Sequence, residues 1–275
     1  MQNQIAPHSA ADAGRPLAGR VALVTGSTSG IGLGVAESLA AQGASLLLNG
    51  FGGLDDINKT TKRLSAEYGV SVAYSPADMG SAEAVEDMIA RLVDRAGRLD
   101  ILVNNAGVQH VAPVAEFPPE KWAQILAINL TAAFHTTRLA LPHMRRGGYG
   151  RIINIASAHG LIASPFKSAY VAAKHGLIGL TKTVALETAE ERITCNAVCP
   201  GYVLTPLVEA QIDGQAKAHG ISRDAVIRDV LLAQQPNKRF ASVEEIGALC
   251  AFLCADAAAS ITGASLSVDG GWTAH

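Results

Sequence analysis

The chain has 275 residues, 49% of them apolar and 17% charged, so it is long enough to bury a full core and too apolar to be disordered. Its formal charge of −2 argues against a nucleic-acid partner, which would call for a basic patch, and no Lys/Arg run is present to hold it to an anionic membrane. No stretch is apolar for long enough to cross a bilayer.

The first fifteen residues, Met1 to Arg15, are polar and small, without the apolar block of a secretory signal. They read as a loose tail, and the cytoplasm is the expected location. After it, short Val/Ile/Leu-rich runs alternate with helical patterns. The strands are expected at Val21–Thr25, Ser45–Asn49, Val70–Ser75, Ile101–Asn105, Arg151–Ser157, Ile193–Val198 and Ser265–Asp269. Continuous apolar runs are what strands covered on both faces need. The β/α alternation predicts an α/β fold over residues 16–275: a single domain built on a Rossmann-type, doubly wound parallel sheet of about seven strands.

Directly after the first strand comes Thr25-Gly26-Ser27-Thr28-Ser29-Gly30-Ile31-Gly32, and then a helix. Glycines let a backbone approach a pyrophosphate, and a helix N-terminus favours its charge. The spacing differs from the common G-x-G-x-x-G. A nucleophile elbow is excluded, because Thr28 stands where it would need serine. The second strand ends in Asn49-Gly50-Phe51-Gly52, with neither an acid for a ribose nor an Arg for a 2′-phosphate. With no cation in the glycine loop either, NAD is favoured over NADP.

Asn104-Asn105-Ala106-Gly107 ends the fourth strand, Asn129 lies in the helical segment that follows, and Ser157 ends the fifth strand. Tyr170 and Lys174 form a Y-x-x-x-K at the head of a helix, so they share one face. The ammonium is expected beside the phenol, bringing its pKa of about 10 toward the working range. Alone, such a pair is an ordinary surface feature; with Ser157 at a strand's carboxyl end it reads as an acid–base centre. Between about Leu204 and Gln235 a helix-leaning insertion interrupts the alternation and is expected to act as a lid. The cysteines fall as Cys195/Cys199 and Cys250/Cys254 in apolar runs with no His nearby, which predicts buried thiols and no metal.

TGSTSGIG, Asp78 in PADM, NNAG, Asn129, Ser157, YVAAK and CPG, in this order from Leu17 onward, resemble the short-chain dehydrogenase/reductase family. The resemblance implies a tetrad in which Tyr170 is the acid/base and Ser157 holds the substrate oxygen. Lys174 would bind the nicotinamide ribose and lower the tyrosine pKa, and Asn129 would support a water-linked proton path. It also implies cofactor contacts from Gly26, Thr28, Ser29, Gly30, Ile31, Gly32, Phe51, Ala106, Gly107, Pro200, Gly201 and Val203. Asp78 would meet the adenine, Asn105 the adenosine-side ribose region, and Thr205 the nicotinamide amide. The missing acid after the second strand departs from the usual NAD-type member.

Polar residues near the expected substrate position are Gln109, His110, His159, Lys167 and Gln211. Donors with one cation suit a small carboxylate rather than a steroid or long acyl chain. GVQHVAPV, ASAHGLIASPFKSAYVAAKHG, CPGYVLTPLVEAQI and DGGWTAH resemble the branch of the family that handles a short hydroxy acid. That branch implies a carboxylate gripped by Gln109, His159, Lys167 and Gln211, with Tyr202 and Trp272 shaping the pocket. It implies (R)-3-hydroxybutyrate oxidised to acetoacetate with NAD, in a homotetramer. The rivals are a 3-oxoacyl carrier-protein reductase, which would want basic residues at the cofactor phosphate, and a non-catalytic NAD-binding protein, which would have lost part of the tetrad.

Overall fold

The structure is a computed structural model that describes residues 14–274, apart from seven side chains on one helix, Gln211 among them. The expected tail lies outside the described residues up to position 13; beyond that, the Arg15 guanidinium donates to the Tyr68 carbonyl at 2.6 Å.

Every expected strand forms: β1 (Val21–Val24), β2 (Ser45–Asn49), β3 (Val72–Ser75), β4 (Ile101–Asn104), β5 (Gly150–Ile155), β6 (Ile193–Pro200) and β7 (Ser265–Val268). They make one parallel sheet in the order β3-β2-β1-β4-β5-β6-β7. The chain winds outward one way from β1 and the other way from β4. A crevice therefore opens between the carboxyl ends of those two strands, which is where open α/β sheets take ligands.

The helices α1 (Gly30–Ala41), α2 (Leu54–Tyr68), α3 (Ala82–Ala96), α4 (Pro119–Leu126), α5 (Ala132–Gly147), α6 (Ser168–Glu187), α7 (Pro206–His219), the single turn α8 (Arg223–Ala225) and α9 (Val243–Cys254) complete the frame. One face of the sheet is covered by Val35, Leu39, Leu64, Ile246 and Leu253 from α1, α2 and α9. The other is covered by Val85, Ile89, Leu141 and Val184 from α3, α5 and α6. Helices α1 and α9 cross at glycines: a Cβ on Gly34 would lie 2.8 Å from the Val243 Cβ, and one on Gly247 2.2 Å from the Ser38 Oγ.

The four cysteines are free and buried, two on β6 and two on α9. No described helix is long and apolar enough to cross a membrane, and no group of three or more His, Cys, Asp or Glu side chains able to hold a metal ion occurs among the described residues.

At the amino-terminal edge of the sheet, buried Asp100 accepts the Val21 amide at 2.8 Å and pairs with Arg98 at 2.6 Å. Beside it Arg20 and Arg151 both lie over the Tyr149 ring, at 3.6 and 4.3 Å from its centroid. The ionic bracing thus sits at the pole opposite the crevice.

Candidate active site

The glycine loop is set by contacts that only hydrogen atoms allow. Gly26 and Gly30 have φ of 61° and 56°, in the left-handed region. A Cβ on Gly32 would stand 2.3 Å from the Gly26 carbonyl oxygen and 2.4 Å from the Asn105 Nδ2. That amide is already committed, donating to the Thr25 and Gly26 carbonyls at 2.9 and 2.8 Å. Asn105 therefore stitches the end of β4 to the loop as well as lining the crevice.

Ser29 caps α1 without a side-chain hydrogen bond, so its first amides are left for a ligand. Across the gap, a Cβ on Gly30 would lie 3.6 Å from the Thr205 Cγ2, at the N-cap of α7. A loop with its backbone bared, opening α1, fits a pyrophosphate.

The loop after β2 explains its missing acid. Asn49 occupies the strand end with no exposed surface, and its side chain is spent on the fold. It accepts from the Gly26 amide at 3.4 Å and donates to the Ser75 and Ala77 carbonyls at 3.2 and 2.9 Å. Thr28 in turn donates to the Phe51 carbonyl at 2.8 Å, and the Phe51 ring is 69% exposed. Asp78, exposed beyond β3, accepts the Gly80 amide at 2.8 Å.

At the carboxyl ends of β4, β5 and β6 a cavity of about 920 Å³ opens. Its walls include Ser157, Tyr170 and Lys174 together with Ile31, Gly107, Pro200, Gly201, Val203 and Thr205. The Lys174 ammonium donates to the Ile155 carbonyl at 2.7 Å and stands 5.6 Å from the centre of the Tyr170 ring. Burial lowers its pKa to about 8, with Cys199 pulling the other way.

The sequence placed the ammonium beside the phenol. In the structure a backbone carbonyl holds the cation near that ring. Burial raises the Tyr170 pKa, and the Ser157 hydroxyl opposes that rise.

Asn129 does not line the cavity. It is buried in a π-helical turn, Ala127–Thr131, rather than in a regular helix. Its side chain accepts the Val108 amide at 2.9 Å and donates to the Val108 carbonyl at 3.0 Å. The widened turn explains how a poor helix former sits there, and such turns gather at functional sites.

The polar cluster is largely assembled. Gln109, His110, His159 and Lys167 line the same cavity as Tyr170, and so do Tyr202 and Trp272. Tyr202 and Trp272 are stacked, centroids 5.7 Å apart and 2° from parallel. His159 sets its edge against Trp272 at 5.1 Å and against Tyr170 at 6.1 Å, and its Nε2 meets the Ser164 hydroxyl at 2.7 Å. Burial, then the charges of Lys167 and His175, lower its pKa to about 4, so the imidazole is neutral. Burial also lowers the Lys167 pKa. Gln211 lies on α7, its side chain outside the described residues.

Sequence reasoning missed the apolar wall, notably Val208 and Leu231 from the 204–235 insertion, and the Ile155 carbonyl under Lys174. The first were visible as apolar residues in a polar segment; a backbone acceptor has no sequence signal.

A glycine loop that opens α1 and a buried Tyr170–Lys174 pair, both at the carboxyl ends of a doubly wound parallel sheet, are the features expected of a dinucleotide-dependent oxidoreductase. A family model described as enoyl-(acyl carrier protein) reductase matches residues 26–273. The chain belongs to this short-chain dehydrogenase/reductase family. It is 56% identical over 256 residues to a D-beta-hydroxybutyrate dehydrogenase of Rhizobium meliloti (strain 1021), covering 93% of this chain and 99% of that one. It is 54% identical to a D-beta-hydroxybutyrate dehydrogenase of Cupriavidus necator, covering 94% and 100%. Among solved structures, L-sorbose reductase of Gluconobacter frateurii, complexed with NADPH and L-sorbose, superposes with a TM-score of 0.89 at 32% identity, over 94% of this chain and 98% of that one.

Proposed function

We propose that this enzyme interconverts (R)-3-hydroxybutyrate and acetoacetate, with NAD as its cofactor. The observation that carries this is the half-buried Lys167 in the same cavity as Ser157 and Tyr170, with a neutral His159 and the Tyr202–Trp272 stack lining it too. Beyond Lys174, which is held by the Ile155 carbonyl, Lys167 is the cation this cavity offers a substrate, and with neutral donors and aromatic side chains around it the site suits a short acid with one carboxylate. The names of the two bacterial relatives support the same substrate.

The glycine loop, Thr205 and the Lys174 ammonium fit a nicotinamide dinucleotide, which when bound supplies the hydride acceptor. NAD rather than its phosphorylated form is supported by the Asn49–Gly53 loop, which has no cation, and by Asp55 and Asp56, which open α2. In oxidation, the substrate hydroxyl lies between Ser157 and Tyr170, and the Tyr170 phenolate oxygen takes its proton. Ser157 orients that oxygen, and Lys167 fixes the carboxylate. Lys174 holds positive charge over the phenol ring, which favours the phenolate. Asn129, bridging the Val108 backbone, keeps the cavity wall and the proton path in register.

On this reading residues 16–275 are one catalytic domain, and the helices of 204–235 are its lid. The lid base is tied to the pocket: the Tyr202 amide donates to the Gln235 side chain at 3.0 Å, and the Leu204 amide to the Ala241 carbonyl at 3.1 Å. Exposed Phe134, Leu186 and Phe252 support association into a homotetramer, and a soluble family supports the cytoplasm.

The test is absorbance at the NADH band with NAD⁺ or NADP⁺ and (R)- or (S)-3-hydroxybutyrate. Turnover is expected with the R form and NAD⁺. Silence there removes the substrate, and a preference for NADP⁺ removes the cofactor assignment.

A further inference from the structure

Lys167 enters the cavity from a loop whose backbone is unusual one residue earlier. Among the described residues, Phe166 is one of two non-glycine residues with positive φ, at 68°, the other being Lys238. The left-handed region is disfavoured for an aromatic residue because of its Cβ. The ring is 53% exposed, so side-chain burial offers little compensation.

The compensation lies in the main chain. The Ala112 amide donates to the Phe166 carbonyl at 2.9 Å, joining this loop to the one after β4 that carries Gln109 and His110. A few residues back, the Ser164 hydroxyl is tied to His159 Nε2 at 2.7 Å. The segment is thus pinned to both walls of the cavity, and the left-handed turn comes immediately before Lys167. Helix α6 begins at Ser168 and presents Tyr170 in its first turn. A costly backbone held by its surroundings beside a ligand group points to a function for the strain.

We propose that the left-handed backbone at Phe166, locked by the Ala112 amide, aims Lys167 at the substrate carboxylate. Phe166 is then a positioning residue that works through its main chain, not its ring. This rests on the carboxylate reading above. A right-handed or extended residue at 166 would lead the chain into α6 along another path and move Lys167 away from Ser157 and Tyr170.

The experiment compares Phe166→Asn, Phe166→Gly and Phe166→Val. Asn and Gly accept the left-handed region readily, whereas a β-branched residue resists it most. Three quantities are read: KM and kcat for (R)-3-hydroxybutyrate, and the acetylation rate of the Lys167 amine by acetic anhydride, followed by mass spectrometry without cofactor or substrate. Lys59, on an exposed stretch of α2, serves as the internal reference.

Phe166→Val is expected to raise KM at least about threefold and to change relative Lys167 acetylation at least about threefold, with kcat within about twofold. Asn and Gly are expected to leave all three within about twofold of the parent. Lys167→Ala sets the ceiling, with KM up by at least about tenfold for one charged hydrogen bond. If Phe166→Val does not fold, Phe166→Thr takes its place.

Parental KM and acetylation in the β-branched variant overturn the proposal. An equal rise in KM in all three variants also overturns it, because the ring would then be what matters. Acetylation that follows the expected order in a parent enzyme that does not turn over hydroxybutyrate keeps the positioning role and removes the substrate instead.

Discussion

At the scale of single residues, Tyr170 works against its surroundings. Burial raises its pKa, and only the Ser157 hydroxyl opposes the rise. The Ile155 carbonyl holds the Lys174 ammonium 5.6 Å from the centre of the same ring. Tyr170→Phe removes the acid–base oxygen and little else. Turnover is expected to fall at least about a hundredfold. NADH affinity, read by fluorescence, should stay within about twofold. Activity within tenfold of the parent would remove tyrosine from the chemistry.

His159 makes a different prediction. Its folded pKa of about 4 lies below the ordinary value of 6.5. Between those values the unfolded chain binds a proton that the folded one refuses, so stability rises with pH. The contribution is full above about pH 6.5 and is lost as pH falls toward about 4. Urea unfolding at pH 7 and pH 5 should therefore show the parent losing about 1 kcal/mol more than His159→Gln. Equal losses would mean that His159 is not held neutral.

Elements carry the precision that single residues use. Gly32→Ala drives a methyl group into the Gly26 carbonyl and the Asn105 amide, neither of which can yield. NADH affinity should fall at least about tenfold by calorimetry. Gly179→Ala, on an exposed stretch of α6 with nothing within 4 Å of its Cβ, should instead stabilise the fold by about 0.5–1 kcal/mol. A cofactor affinity unchanged by Gly32→Ala would remove the close-approach account.

These elements were legible in the sequence because their signals are local. VALVT followed by TGSTSGIG announces strand, loop and helix in order, and Y-x-x-x-K announces a shared helical face. What stayed hidden depends on partners distant in sequence or on backbone atoms. Asn49 reads as a gap in cofactor recognition until Ser75 and Ala77 are seen to occupy it. Asn129 reads as a helix oddity until Val108 arrives from another loop to meet it. The left-handed turn at Phe166 has no sequence signal, since nothing in Pro165-Phe166-Lys167 demands it.

Across the whole molecule, rigidity and chemistry occupy opposite ends of one sheet. Asp100, Arg98 and the Arg20–Tyr149–Arg151 stack brace the amino-terminal edge. The carboxyl edge carries the glycine loop, Lys167 and the helices of 206–231. The central strands link the two ends, with Asn104 donating to Asn154 at 2.9 Å and Asn154 to Thr181 at 2.8 Å beneath the cavity floor.

The cysteines give this arrangement a built-in clock. Burial pushes the Cys195 and Cys254 thiols up to about 12 and Cys199 up to about 11, and Cys250 is raised as well. A disulfide reagent is attacked only by thiolates that can reach it, each forming a mixed disulfide and releasing the reagent's other thiol, so the native enzyme should react slowly and the urea-unfolded chain at all four sulfurs. The rate in native buffer then measures how often the sheet opens to solvent. Cys199, which interacts with Lys174 and Ser157, would time the opening of the catalytic end, and Cys254, beside the Tyr149 hydroxyl at the braced pole, would time the other. Faster labelling of Cys199 than of Cys254 would show the catalytic end breathing while its anchor stays shut.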